Sequence, residues 1–84
     1  MNITRRRINL AQAWTIAGKE WATTSDLAAA GAYGSPRMIH RGLLRMNAES
    51  LVDMRARPEG RGFLYRFTHE GLNRMGLGPA RRET

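Results

Sequence analysis

The chain has 84 residues, with 14 basic side chains against 7 acidic ones, a formal net charge of +7 and an isoelectric point near 11.5. This length predicts one domain with a modest core, and the absence of cysteine excludes disulfides, thiolate metal sites and cysteine nucleophiles. No hydrophobic run approaches the length of a membrane span and no signal peptide precedes the first elements, so we expect a cytoplasmic protein without membrane contact.

The first predicted helix covers residues 5–17, with Thr4 as its N-cap and Gly18 at its end. One face carries apolar residues at helical spacing, and the stripe extends at its edges to Ile3 and Trp21. The residues at its centre are Leu10, Trp14 and Ala17. We interpret both tryptophans as core residues rather than as platforms for a ligand.

A second, short helix is predicted over residues 24–30. Thr23 and Asp26 have the spacing of a capping box, in which each side chain accepts a hydrogen bond from the other residue's backbone N–H. Two glycines, Gly31 and Gly34, then indicate a tight turn.

The third helix is predicted to run from Pro36 to about residue 48, with Ser35 as its N-cap. Its core face has helical spacing and consists of Ile39, Leu43 and Met46. Arg37 and Arg41 point away from that face. Two helices joined by a glycine-containing turn predict a helix-turn-helix.

Alternating apolar and polar residues predict strands over residues 51–57 and 63–67. Pro58 and Gly60 between them indicate a hairpin, whose tip and flanks are basic. Thr68 is then a candidate N-cap for a short last helix, and a short strand near Trp21 and Ala22 is predicted to join the hairpin. We expect one domain over residues 1–78 and a flexible basic tail over 79–84.

The segments "TTSDLAAA", "SPRMIHRGLLRM" and "GRGFLYRFTHEG" together resemble the winged helix-turn-helix DNA-binding family, as in small bacterial and phage regulators of the MarR and PadR kinds. The resemblance implies an α+β fold of three helices, a two-stranded β-hairpin wing and a short C-terminal helix. "NAES" stands where the family usually ends its recognition helix with glycine. The chain also lacks the long helices with which MarR-type proteins dimerise.

The resemblance implies that the third helix, with its outward-facing arginines, enters the major groove and that the hairpin lies on the DNA backbone. The strong positive charge agrees with double-stranded DNA as the partner. The predicted DNA-binding residues are Ser35, Arg37, His40, Arg41, Leu44, Arg45, Arg55, Arg57 and Arg61.

The sequence offers no catalytic constellation, no metal-ligand spacing for His40 or His69, and no phosphate-binding glycine loop, so we expect neither an enzyme nor a cofactor. Because one such domain reads few base pairs, we expect a monomer or weak homodimer that pairs on DNA, acting as a transcriptional regulator or phage-type architectural factor. The alternative is a winged-helix module that binds a host protein, such as a phage-encoded inhibitor or adaptor, for which the exposed Leu44 and the acidic Glu59 leave room.

Overall fold

The computed structural model describes residues 3–77, and the predicted basic tail over 79–84 lies outside them. The fold is α+β. Three helices come first, followed by a two-stranded antiparallel hairpin and a short helix. In chain order the elements are α1 (Ile3–Ala17), α2 (Thr24–Ala29), α3 (Pro36–Ala48), β1 (Val52–Ala56), β2 (Phe63–Phe67) and α4 (His69–Arg74). No helix among these residues combines the length and the apolar character that crossing a membrane requires.

The helix starts follow the local capping chemistry. The Thr23 side chain accepts from the backbone N–H of Asp26 at 3.0 Å, and the Asp26 carboxylate accepts from the N–H of Thr23 at 2.9 Å, which confirms the capping box of α2. Ser35 and Thr68 cap α3 and α4. The side chain of each accepts a hydrogen bond from the backbone N–H three residues later, that of Met38 and that of Gly71. The prediction that Thr4 caps α1 is wrong, because α1 already includes Ile3 and Thr4 lies inside the helix.

Helix α3 ends without the glycine that such ends favour. Ser50 adopts φ = 65°, in the left-handed region. Its N–H donates to the carbonyl of Asn47 at 3.0 Å, and the N–H of Leu51 donates to the carbonyl of Met46 at 2.9 Å. These two bonds form a Schellman motif. Ser50 occupies the left-handed position that glycine usually takes in this motif, and its Cβ makes that conformation sterically unfavourable.

The core lies where α1, α2 and α3 meet the inner face of the hairpin. The predicted core face of α3 is confirmed, since Ile39, Leu43 and Met46 are fully buried. On α1 the buried residues are Leu10, Ala11 and Ala13, while Trp14 packs partly buried against the core. Ala11 and Ala13 flank the predicted stripe and were not predicted, whereas Ala17, predicted at its centre, is only partly buried.

Strands β1 and β2 pair with Val52 opposite Phe67, Met54 opposite Tyr65 and Ala56 opposite Phe63. Burial of this inner face decreases from Val52 toward the tip, where Ala56 and Phe63 are exposed. The predicted short strand near Ala22 is present as a single antiparallel bridge, in which Ala22 and Tyr65 exchange two backbone hydrogen bonds of 2.9 and 3.0 Å.

Trp21 does not belong to the core, which corrects the sequence prediction. The guanidinium carbons of Arg55 and Arg66 lie over its ring, 4.4 and 4.5 Å from the centroid. The reason is that α1 ends at Ala17 and the next residue, Gly18, has φ = 70°, so the helical spacing that placed Trp21 beside Trp14 stops before Trp21.

Helix α4 docks on the start of β1 through a threonine and a glycine. The N–H and the hydroxyl of Thr68 both donate to the carbonyl oxygen of Leu51, at 3.0 and 3.1 Å. Gly71 is buried, and a Cβ built there would overlap that same carbonyl oxygen. The close approach of α4 therefore depends on glycine at this position.

Candidate nucleic-acid interface

The basic side chains of residues 3–77 fall into two groups, those with an ion pair and those without one. Each acidic side chain in this range pairs with a basic one: Arg7 with Glu49, Lys19 with Asp26, Arg57 with Glu59, Arg66 with both Glu20 and Asp53, and Arg74 with Glu70. Within the same range, six arginines form no ion pair: Arg6, Arg37, Arg41, Arg45, Arg55 and Arg61. Arg55 lies over the Trp21 ring, and the charge of Arg45 contributes to lowering the pKa of the Glu49 carboxylate. The other four are on α3, on the neighbouring part of α1 and in the hairpin loop.

The outward face of α3 carries two of these four arginines. Arg37 and Arg41 are exposed, one helical turn apart, and lie opposite the buried Ile39 and Leu43. Leu44 lies on the same side of the helix and keeps 47% of its surface exposed. The structure therefore brings together the predicted contact residues of this helix, apart from His40.

His40 lies on the hairpin side of α3 and is partly buried. Its Nδ1 is 2.7 Å from the Tyr65 hydroxyl oxygen, and its ring stacks on Phe63 with centroids 5.6 Å apart and planes 16° apart. Burial raises the pKa of Tyr65, so its hydroxyl keeps its proton at neutral pH. His40 therefore connects α3 to β2, a role that its position in the sequence did not indicate.

The turn before α3 is held against α1 by Asn9. The Asn9 side-chain amide donates to the carbonyl of Gly31 at 3.1 Å, and its oxygen accepts from the N–H of Tyr33 at 2.9 Å. This pair of bonds fixes the approach of the chain into α3, and with it the direction of the outward face. Sequence reasoning missed Asn9, since an asparagine inside a helix gives no signal of a contact 22 residues away.

The basic residues of the hairpin differ in their availability. Arg57 donates to the Glu59 carboxylate at 3.0 Å, whereas the exposed Arg61 has no ion pair among the described residues. Arg55 lies over Trp21, on the hairpin face opposite the one where Tyr65 meets His40. Of the three predicted hairpin contacts, Arg61 is thus the one whose guanidinium is uncommitted.

Two clefts border α3, one on each flank. The first lies toward the hairpin and is lined by Arg37, His40, Arg57 and Phe63, together with the start of α2. In it, the Nε of Arg57 is buried without a hydrogen-bond partner among the described residues. The second lies toward α1, has a volume of about 210 Å³ and is lined by Arg6, Arg7, Leu10, Met38, Arg41, Gly42 and Arg45.

Within residues 3–77, histidine, aspartate and glutamate side chains do not gather in a group of three or more that could hold a metal ion. In the comparisons with known proteins, no family model matches this chain and no curated protein gives a significant match.

Proposed function

We propose that this protein binds double-stranded DNA, with α3 in the major groove and the β1–β2 hairpin against the sugar–phosphate backbone. The order of elements supports this proposal, because α2, the turn and α3 have the arrangement of a helix-turn-helix and the hairpin follows in the position of a wing. That the chain is a winged helix-turn-helix protein is likewise proposed.

The observation that carries the proposal is the separation of charges. Ion pairs neutralise every acidic group of residues 3–77, and the arginines left over, apart from Arg55 over Trp21, are on α3, on α1 beside it and in the hairpin loop. Clustered guanidiniums without counterions repel one another, and a polyanion relieves that repulsion while releasing its own counterions.

The DNA contacts proposed for the arginines differ with their positions in the fold. Arg37 in the first turn and Arg41 one turn later project farthest from the core, where side chains of an inserted helix reach base edges. Arg61 at the hairpin would contact phosphate, which adds affinity without sequence preference. Arg45, Ser35 and Leu44 border these positions, and Leu44 would suit the methyl group of a thymine.

A role as a transcriptional regulator or an architectural factor follows from this mode of binding. A single domain of this size covers few base pairs, so we expect two copies to pair on DNA and to associate weakly without it.

The test compares two double variants of equal charge. Arg37→Ala/Arg41→Ala removes the outward arginines of α3, and Lys19→Ala/Arg74→Ala removes two exposed cations that are already ion-paired. Fluorescence anisotropy with a short duplex should show strong loss of binding for the first variant and near wild-type binding for the second. Equal effects of the two variants would mean that net charge, not α3, determines binding, and would refute the proposed mode.

A second candidate is a protein-binding module, and the exposed apolar side chains of α3 favour it. Met38 and Leu44 keep 45% and 47% of their surfaces exposed. If wild-type protein does not bind duplex at low salt, this candidate becomes the better explanation of the outward face.

A further inference from the structure

Arg6 occupies an unusual position across the crossing of α1 and α3. A Cβ built on Gly42, in the middle of α3, would lie 3.6 Å from the Nε of Arg6. A Cβ built on Gly34, in the turn before α3, would lie 3.4 Å from its Nη2. The Arg6 side chain therefore extends along the α1 side of α3, in space that two glycines leave open.

Three guanidiniums without an ion pair line the groove at this crossing. Arg6 shares it with Arg41 and Arg45, and of the three only Arg45 acts electrostatically on an acidic group of residues 3–77, the Glu49 carboxylate. Arg7 also lines the groove, but its guanidinium donates to the Glu49 carboxylate at 2.9 Å. Guanidiniums around one groove repel one another, and an anion bound between them would replace this repulsion by attraction.

The groove also has an apolar part, formed mainly by the half-exposed Met38, with the buried Leu10 beneath it. A basic rim over an apolar surface matches the sugar–phosphate unit, since the deoxyribose can pack on carbon atoms while its phosphate meets the guanidiniums.

We propose that the α1–α3 groove, with Arg6 as its principal cation, binds the phosphodiester backbone of the DNA strand opposite to the one contacted by the hairpin. This inference rests on the proposed function. A helix in the major groove has one backbone on each flank. Arg57 lines the cleft on the hairpin flank of α3 and Arg61 lies in the same hairpin loop, whereas Arg6 lines the groove on the α1 flank, so the two flanks would contact different strands.

The experiment measures the dissociation constant for a random-sequence duplex across a salt series. Arg6→Ala should make the slope of log K against log salt shallower by about 0.9, where K is the association constant. It should also raise the dissociation constant about eightfold near 0.1 M salt, as expected for the loss of one phosphate contact. Arg74→Ala is the matched control, because it removes the same charge from an ion-paired position on α4.

Two further variants separate contact from folding. Arg6→Lys keeps the charge, so the salt dependence of binding should be as steep as in the wild type. In the double variant Arg6→Ala/Arg61→Ala, the reduction in the steepness of that dependence should be about twice the reduction in either single variant. If Arg6→Ala binds like Arg74→Ala while wild-type protein binds duplex well, the groove is not a backbone site and the proposed function stands. If wild-type protein fails to bind duplex, the proposed function itself is wrong.

Discussion

Glu59 at the hairpin tip should limit the affinity for DNA, and its removal should therefore tighten binding. Its carboxylate accepts from the guanidinium of Arg57 at 3.0 Å, and both side chains are at the surface, with 64% and 36% of their areas exposed. That hydrogen bond lowers the pKa of Glu59, so the carboxylate stays ionised at neutral pH and holds Arg57 in the pair. In Glu59→Gln the negative charge is lost and Arg57 becomes free to meet a phosphate.

The size of the effect follows from the number of phosphate contacts. One additional contact steepens the slope of log K against log salt by about 0.9, which corresponds to about eightfold tighter binding near 0.1 M salt. Because the ion pair is exposed and screened, its loss should change the unfolding temperature little.

The assay is fluorescence anisotropy with a random-sequence duplex over a salt series. Glu70→Gln is the matched control, because Glu70 pairs with Arg74 on α4 and its substitution changes the net charge by the same amount. Glu59→Gln should bind more tightly and with a steeper salt dependence than Glu70→Gln. If the two variants bind alike, the hairpin tip does not contact the backbone and the reasoning from the Arg57–Glu59 pair fails.

Three further predictions concern the scaffold. Gly71→Ala should lower the free energy of unfolding by about 1–3 kcal/mol, because the added methyl group overlaps the Leu51 carbonyl; thermal denaturation showing unchanged stability would contradict this packing. Ser50→Gly should raise the free energy of unfolding by about 0.5–1 kcal/mol in urea titrations, since glycine adopts φ = 65° without the Cβ penalty; a loss of stability would be inconsistent with the left-handed conformation. The backbone N–H of Thr23 lowers the pKa of Asp26 below its usual 3.8 in the folded state, so the stability that this carboxylate contributes is present above pH 3.8 and is lost as the pH falls further. The stability difference between wild type and Asp26→Asn should accordingly narrow below that pH, and a constant difference would exclude the carboxylate as its source.

The sequence predicted the elements whose signals are local. Ser35 and Pro36 marked the start of α3, because a hydroxyl cap and a proline at the first helical position act within one turn. The alternation in residues 51–57 and 63–67 identified both strands, because only one face of the hairpin meets the core. These features depend on neighbours along the chain.

What the sequence could not predict depends on contacts between distant segments. Asn9 bonds to the turn before α3, His40 bonds to Tyr65, and Arg6 extends along α3. Each of these contacts joins residues that are far apart in the chain. The position of Trp21 against the hairpin arginines belongs to the same class. Side-chain partners of this kind are set by tertiary packing, for which periodicity carries no information.

The ion pairs were equally hidden, and they matter most for the candidate site. A count of charges gives +7, but it does not tell which arginines are neutralised. Arg57 and Arg61 looked equivalent in the sequence, and the structure separates them, since Glu59 pairs with Arg57 alone. The choice of Arg61 as the available hairpin cation therefore comes from the structure.

Two-dimensional ¹H–¹⁵N NMR during titration with duplex would map the proposed DNA contacts most directly. We expect the largest chemical-shift changes on the outward face of α3, around Arg37 and Arg41, with further changes at Arg6 and at Arg61. Changes centred on α4, or on the outer hairpin face around Trp21, with α3 unaffected, would contradict the proposed mode of binding.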